Sequence, residues 1–570
     1  MAGAGHVNMM DDVLISHLPP VLLRSALRLL VSRGVATQRP FVEHIRAQLL
    51  ESPPAFTDAS TLFPPGDDGR LSKDCLRYVA STRCIFSSKL AEAALPYLTH
   101  FVSSLQEAGA RWAPGDELDR LLDHVSGDIV QAIQALKECE PEPTSALFDA
   151  LQGLLDKLEA VSSYCSSVGP QSLRFPFTRA ERQLRDAIGF LYPGAAASLS
   201  YPEAAKTISI SVTKRRADIE TVQLGPYRMP RVFNGFWQLS SPAWGSASSQ
   251  GQEAALAELI ELGLSTADMA DHYGDAELVY GGFRNRLPAE VRDAVHAATK
   301  WCVFGPVSQP VSTQYVLQAV QERSRRLGGR VELLQFHWHD YTSHEYLDIL
   351  VELVKITHSH PDLVSAIGLC NFDAQHTAYV CEHIMEKTGT VGIVSNQVQF
   401  SLIDSRPLRR MSAVCEKYGI KLLTYGCFCG GFISSQWLGQ PTPELYSETR
   451  PLTPSQRKYL GMVQIWGSWH EFQALLQTLS SVARKHGKGI SLTNIAARWV
   501  LQQPAVGAVI IGTKLGVSNH AVENLNVFKF RLDKEDMAII DMASLGKSGQ
   551  KTKAVFQSLG DCGNEYRAMH

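Results

Sequence analysis

Apolar and polar positions along the chain follow two different periods, and the change falls near residue 220. Up to about residue 200 the spacing is helical. Pro19-Pro20 opens the run VLLRSALRLLVSRG, with apolar residues at helical intervals and Gly34 set to end it. Val125, Ile129, Ile133 and Leu136 fall on one helix face, and Leu147, Leu151, Leu154, Leu155 and Leu158 on a second. Pro141-Glu142-Pro143 lies between them and cannot continue a helix, which predicts an antiparallel helical hairpin. Beyond 220, short β-type runs alternate with amphipathic helices such as EAALAELIELG and LTNIAARWVLQQ. The runs are 232–238, 265–270, 295–301, 331–338, 363–371, 394–400, 420–427 and 506–513. Eight strand-helix units predict an α/β chain with a parallel sheet closed into a (β/α)8 TIM barrel. An open doubly wound sheet needs a G-x-G-x-x-G turn after its first strand, and SSPAWGSASS has none. The expected organisation is a mostly α-helical N-terminal domain (1–205), a linker (206–219), the barrel (220–545) and a C-terminal tail (546–570). The stretch 432–490 reads as an inserted loop with helices.

Composition narrows the function classes. Hydrophobic residues at 45% and charged residues at 19% describe an ordinary globular chain. A net charge of -3, with acidic residues in excess over 1–200, gives no electrostatic pull toward nucleic acid or a lipid surface. No run reaches the roughly 18 apolar residues of a membrane span. The 11 cysteines lack a framework spacing and are read as reduced thiols. The acidic opening MAGAGHVNMMDD does not resemble a signal peptide, so a cytoplasmic address is expected.

In such a barrel, reactive side chains gather where the strands end and the βα loops begin. Asp268 lies in the second predicted strand, with Tyr273 in the loop after it. Lys300 ends the third strand and His337 the fourth. Reduction of a carbonyl by hydride needs a proton donor as charge develops on oxygen, and a phenol with a pKa near 10 is a sluggish acid. A neighbouring ammonium, Lys300, is expected to stabilise the phenolate and lower that value. Asp268 is expected to hold the lysine, and His337 to orient the carbonyl or relay the proton.

The stretches D-x-A-x-x-Y-G (268–274), T-K (299–300) and F-H-W (336–338) together resemble the aldo-keto reductase superfamily. The resemblance runs on through G-L-C-N-F (368–372), N-Q (396–397) and I-I-G-T-K (510–514) to E-N-L (523–525). It covers roughly 220–545 and leaves the N-terminal third unassigned. It implies a nicotinamide cofactor, with Asn371 and Gln397 on the carboxamide and Tyr425 stacked on the ring. Gly512, Thr513 and Lys514 are implied as the phosphate turn, with Lys514 favouring NADPH over NADH. His520, Glu523 and Asn524 are implied at the adenine end, and Trp237 is grouped with the cofactor contacts. Cys370 stands where the family commonly has serine. Substrates are expected to be small aldehydes, ketones or the corresponding alcohols, sugar-derived ones included. Trp237, Trp244, Trp301 and Trp338 are expected either to line an apolar pocket or to pack between barrel and helices.

Cys427-x-Cys429 has no second pair, and at most an accessible thiol is expected there. His337 and His339 have no accompanying carboxylate pair at metal spacing, so no metal site is expected. Two functions lead: a carbonyl reductase, and an NADPH-binding regulatory or scaffold protein that docks a protein partner through residues 1–205; an unrelated enzyme fused at the N-terminus ranks last, since no catalytic pattern is visible there.

Overall fold

The first two strands, β1 (Thr221–Leu224) and β2 (Tyr227–Pro230), form an antiparallel hairpin that the sequence pattern did not reveal. The remaining strands are β3 (Val232–Gly235), β4 (Thr266–Asp268), β5 (His296–Val303), β6 (Leu333–Trp338), β7 (Ile367–Cys370), β8 (Ile393–Gln399), β9 (Lys421–Tyr425) and β10 (Val506–Gly512). Each overlaps one of the eight predicted runs. They are parallel and close in the order β10-β3-β4-β5-β6-β7-β8-β9. This computed structural model describes residues 9–66, 69–139, 141–168, 173–198, 207–208, 210, 218–240, 247–307 and 309–568. The KRR stretch of the linker and Trp244 lie outside them.

The hairpin seals one end of the barrel. Leu224 and Met229 pack with Phe233, Ala298, Leu333, Ala366, Leu423 and Ala508 in an interior cluster. Gly225, at the hairpin turn, has φ +55, and a Cβ there would lie 2.8 Å from the Ala366 Cβ, so both the turn and the close approach call for glycine. With the N-terminal ends of the strands plugged, chemistry is left to the opposite mouth.

Helices dominate the first two hundred residues, as expected. Asp116 and Thr144 cap helices Glu117–Glu138 and Ser145–Ser167 by accepting from the Asp119 and Leu147 amides. Both predicted apolar faces are buried in one core, each leucine contributing at most about 1.5–3 kcal/mol. The hairpin expectation needs correction. Helix Ser145–Ser167 packs chiefly on helix Ala91–Glu107, and helix Glu117–Glu138 on helix Thr178–Leu191. Periodicity marks which face is apolar but carries no information on which helix covers it. The first apolar run does form helix Pro20–Val31, yet neither it nor helix Val35–Glu51 buries a residue. Leu22, Leu29 and Leu30 stand about half exposed.

Residues 432–490 contribute helices Pro454–Trp466 and Trp469–Lys485. In the linker, the Ile208 amide donates to the Arg286 carbonyl, and Ile210 is buried against the barrel core. The tail is not a loose end. Helix Gln550–Leu559 and the short helix Asn564–Arg567 bring the chain back to the barrel mouth. No helix among the described residues is long and apolar enough to cross a membrane.

Candidate active site

Asp268, Lys300 and His337 point from β4, β5 and β6 into one polar layer at the mouth. The Lys300 Nζ donates to Asp268 Oδ2 at 2.7 Å and to the Met269 carbonyl at 2.8 Å. Both partners are buried. The other carboxylate oxygen of Asp268 accepts from Gln335 Nε2 at 2.9 Å and Gln397 Nε2 at 2.7 Å. Gln335 escaped the sequence reading. Strand alternation carried the signal, since Gln335 lies two residues before His337 and shares its inward face. Tyr273 follows in the loop, with Lys300 Nζ 4.8 Å from its ring centroid.

Burial works against the Lys300 ammonium, and the adjacent Asp268 carboxylate more than offsets it, leaving the lysine above its ordinary pKa. For Tyr273 the balance differs from expectation. Lys300 does favour the phenolate, but burial of the phenol outweighs it, and the net direction is upward. Tyr273 is therefore held protonated. His337 is pushed down to about 3, first by burial and then by the positive fields of His272, Lys300 and Arg567. Phe304 meets its ring edge-on at 5.2 Å. A histidine depressed from 6.5 is neutral through the physiological range. The pH profile of kcat/KM should accordingly show no inflection attributable to His337 between about pH 5 and 8. Comparison with His337→Gln tests this, and an inflection near 6.5 lost in the variant would contradict it. The same shift has a stability sign: the contribution is present above 6.5 and is withdrawn as pH falls toward 3.

The residues implied at the nicotinamide are partly redistributed. Asn371, at φ +59, sits at the mouth beside His337, with 3.5 Å between its Nδ2 and His337 Nε2. Its Oδ1 accepts from the Tyr425 hydroxyl at 2.9 Å. Gln397 is elsewhere: its side chain is spent inside the barrel on Asp268 and on Gln335 Oε1, at 2.8 Å from the latter. The tail occupies the same neighbourhood. Tyr566 meets His337 edge-on at 6.0 Å, accepts from Lys458 at 2.9 Å and lies 3.3 Å from the Tyr425 hydroxyl. Arg567 donates to the Asn371 carbonyl at 2.8 Å. Gly563 (φ +74) permits this approach, because a Cβ there would fall 1.9 Å from the same carbonyl oxygen.

Gly512 ends β10 and Thr513 and Lys514 follow it, with the Thr513 amide donating to the Gly235 carbonyl at 2.9 Å. His520 and Glu523 face each other at 3.5 Å, and Asn524 lies on the same short helix, Ala521–Leu525. Trp237 opens a turn after β3 and is 41% exposed. Trp301 and Trp338 belong to the core between barrel and helices, which settles their reading. Burial pushes the Cys370 thiol up to about 12, so it stays a weak donor. Cys427 and Cys429 are both buried, against the expectation of an accessible thiol. Ligand atoms of Asp271, His272 and Cys302 lie within 4.8 Å of one another. Arg323 already pairs with Asp271 there and opposes a cation.

The profile of the Aldo/keto reductase family matches residues 231–544. The chain belongs to the aldo/keto reductase family. Similar proteins include flagellar radial spoke protein 5 of Chlamydomonas reinhardtii, 28% identical over 183 residues, 30% of this chain and 33% of that one. Methylglyoxal reductase DkgA of Yersinia pestis is 27% identical over 185 residues, 32% of this chain and 59% of its own. Aldo-keto reductase YhdN of Bacillus subtilis is 22% identical over 293 residues, 50% and 81% of the two chains. The matched stretch thus spans a third of the first relative and 59% of the second. In this aldo/keto reductase the matched region leaves out both the helical domain and the tail that returns to the mouth.

Proposed function

We propose that the protein is an NADPH-dependent reductase of small aldehydes and ketones, with Tyr273 as the proton donor. One observation carries the reading: a buried Lys300–Asp268 ion pair, 2.7 Å long, lies beside the half-buried Tyr273 ring and the buried His337 at the barrel mouth. The residues present suit a nicotinamide dinucleotide. The turn after β10 offers a lysine and, at Gly512, exposed backbone, while Asn371 and Tyr425 offer an amide and a ring at the mouth.

When bound, the nicotinamide supplies the hydride. The chain does the rest. His337, neutral, donates a ring N–H hydrogen bond that orients the carbonyl oxygen. Tyr273 gives that oxygen its proton as charge develops, and the Lys300 ammonium stabilises the phenolate left behind. Asp268 keeps the ammonium in place, itself steadied by the Gln335 and Gln397 amides. Lys514 is proposed to meet the 2′-phosphate, with His520, Glu523 and Asn524 toward the adenine and Trp237 nearby.

The deciding experiment follows NADPH oxidation by the full-length protein across aldehydes, ketones and reducing sugars, with a parallel NADPH fluorescence titration. Turnover is expected. Tight binding without turnover on any compound would overturn the reductase reading. For the cofactor, Lys514→Ala is expected to weaken NADPH about 10- to 100-fold, as loss of a charge-assisted bond to phosphate does. NADH should change by less than about threefold, within the spread of a lost uncharged contact. Equal weakening of both nucleotides would remove the 2′-phosphate assignment.

A second reading is an NADPH-binding regulatory or scaffold protein that docks a partner through residues 1–205. It is favoured by the apolar side chains left exposed on helices Pro20–Val31 and Val35–Glu51, Leu22, Leu29, Leu30 and Leu50 among them. One of the similar proteins is named as a flagellar radial spoke protein.

A further inference from the structure

Asp275 stands at the N-terminal cap of helix Ala276–Arg284, where an aspartate ordinarily accepts from the first amides of its own helix. It makes no such bond. Both of its oxygens are taken by Arg179 of the helical domain, through Nη2 at 2.5 Å and Nε at 2.9 Å. Asp275 is fully buried and the Arg179 side chain is 12% exposed. The same guanidinium donates to the Leu239 carbonyl at 3.3 Å, so one side chain ties together the loops that follow β3 and β4. A second tie starts from Asp186 on the same helix, Thr178–Leu191. Its carboxylate lies 3.7 Å from Arg326 Nε, and Arg326 Nη2 lies 3.4 Å from the Gly274 carbonyl oxygen.

Only Gly274 separates Tyr273 from Asp275, and at φ +59 it is the pivot of the loop. A glycine constrains its neighbours little, so the direction of the Tyr273 hydroxyl depends on where Asp275 is pinned. We propose that Arg179 is a positioning residue for the proton donor, fixing the Tyr273 loop through Asp275, so that the helical domain forms part of the active-site architecture. This rests on the reading of Tyr273 as the donor. The chemistry is misplacement: an ångström of drift in a proton donor costs about a hundredfold in rate.

The test uses full-length Arg179→Ala, the near-isosteric Asp275→Asn, their double variant, and Arg24→Ala as a control. Arg24 pairs with Glu448 at 2.6 Å, an exposed interdomain contact remote in sequence from the Tyr273 loop. Arg179→Ala is expected to lower kcat about 10- to 100-fold. KM for the carbonyl and Kd for NADPH should stay within about twofold, a split that general loosening of the fold does not produce. Asp275→Asn should lower kcat in the same direction, and the double variant should lose no more than the worse single one. Arg24→Ala should leave kcat unchanged. Backbone hydrogen exchange over 270–276 is expected to quicken in Arg179→Ala and not in Arg24→Ala. If Arg179→Ala does not fold, Asp275→Asn decides by the same readouts. Wild-type kcat and unchanged exchange in a folded variant would overturn the proposal. If the wild type reduces no carbonyl, exchange still decides: quickening confined to the loop keeps the clamp while the reductase reading fails, and unchanged exchange removes the clamp.

Discussion

Tyr273→Phe should abolish turnover, with kcat falling by at least the 10²- to 10⁴-fold that a positioned acid supplies. Kd for NADPH should remain within about twofold, because the ring is kept and only the hydroxyl is lost. The loop itself is anchored on either side of the ring, by the Asp271 amide on the Lys300 carbonyl and by Asp275 on Arg179. The phenol therefore has little structural duty of its own. Single-turnover reduction together with fluorescence titration separates the two effects. A variant that keeps more than a tenth of wild-type kcat would mean that another group delivers the proton, and loss of NADPH binding would mean the site has been misassigned.

Lys300→Met is expected to cost both activity and stability. Methionine fills nearly the same volume, but Asp268 is then left charged and buried with only two amide donors. Removing one partner of a buried pair costs about 3–5 kcal/mol. The double variant Lys300→Met/Asp268→Asn removes the stranded charge and should recover most of that stability with none of the turnover. Urea unfolding and NADPH oxidation, run on the same three proteins, check the prediction. It fails if Lys300→Met unfolds at the wild-type midpoint, or if the double variant regains turnover.

The proposed constellation was legible because its members sit at or just after the ends of strands whose positions follow from local pattern. Asp268, Lys300 and His337 are all fixed by strand alternation, and Tyr273 by its short distance from one of them. What the pattern missed depends on pairings distant in sequence. The β1–β2 hairpin is only four residues a side and takes its meaning from the barrel it plugs. Gln397 carried an implied role at the nicotinamide, yet its amide is drawn inward by the negative charge of Asp268 and the carbonyl of Gln335, from β4 and β6. Tyr566 and Arg567 read as the end of a tail because nothing local ties them to Tyr425 or Asn371. The direction of the Tyr273 shift was misjudged for a related reason. A charge neighbour can be inferred from residue type, but the depth of burial that outweighs it cannot.

The interdomain clamp also bears on how the chain is made. The helical domain leaves the ribosome first, with its own hydrophobic core. Asp275, the partner of Arg179, lies 96 residues further along, and Arg325, a partner of Asp186, lies 139 residues further. At ordinary translation rates the first gap lasts on the order of ten seconds. During that interval Arg179 has no carboxylate from Asp275 to hold, and Asp186 has Lys137 of its own domain but neither barrel arginine. The face that will meet the Tyr273 loop is thus exposed and charged while the barrel is still being synthesised, which keeps it hydrated until its partners arrive.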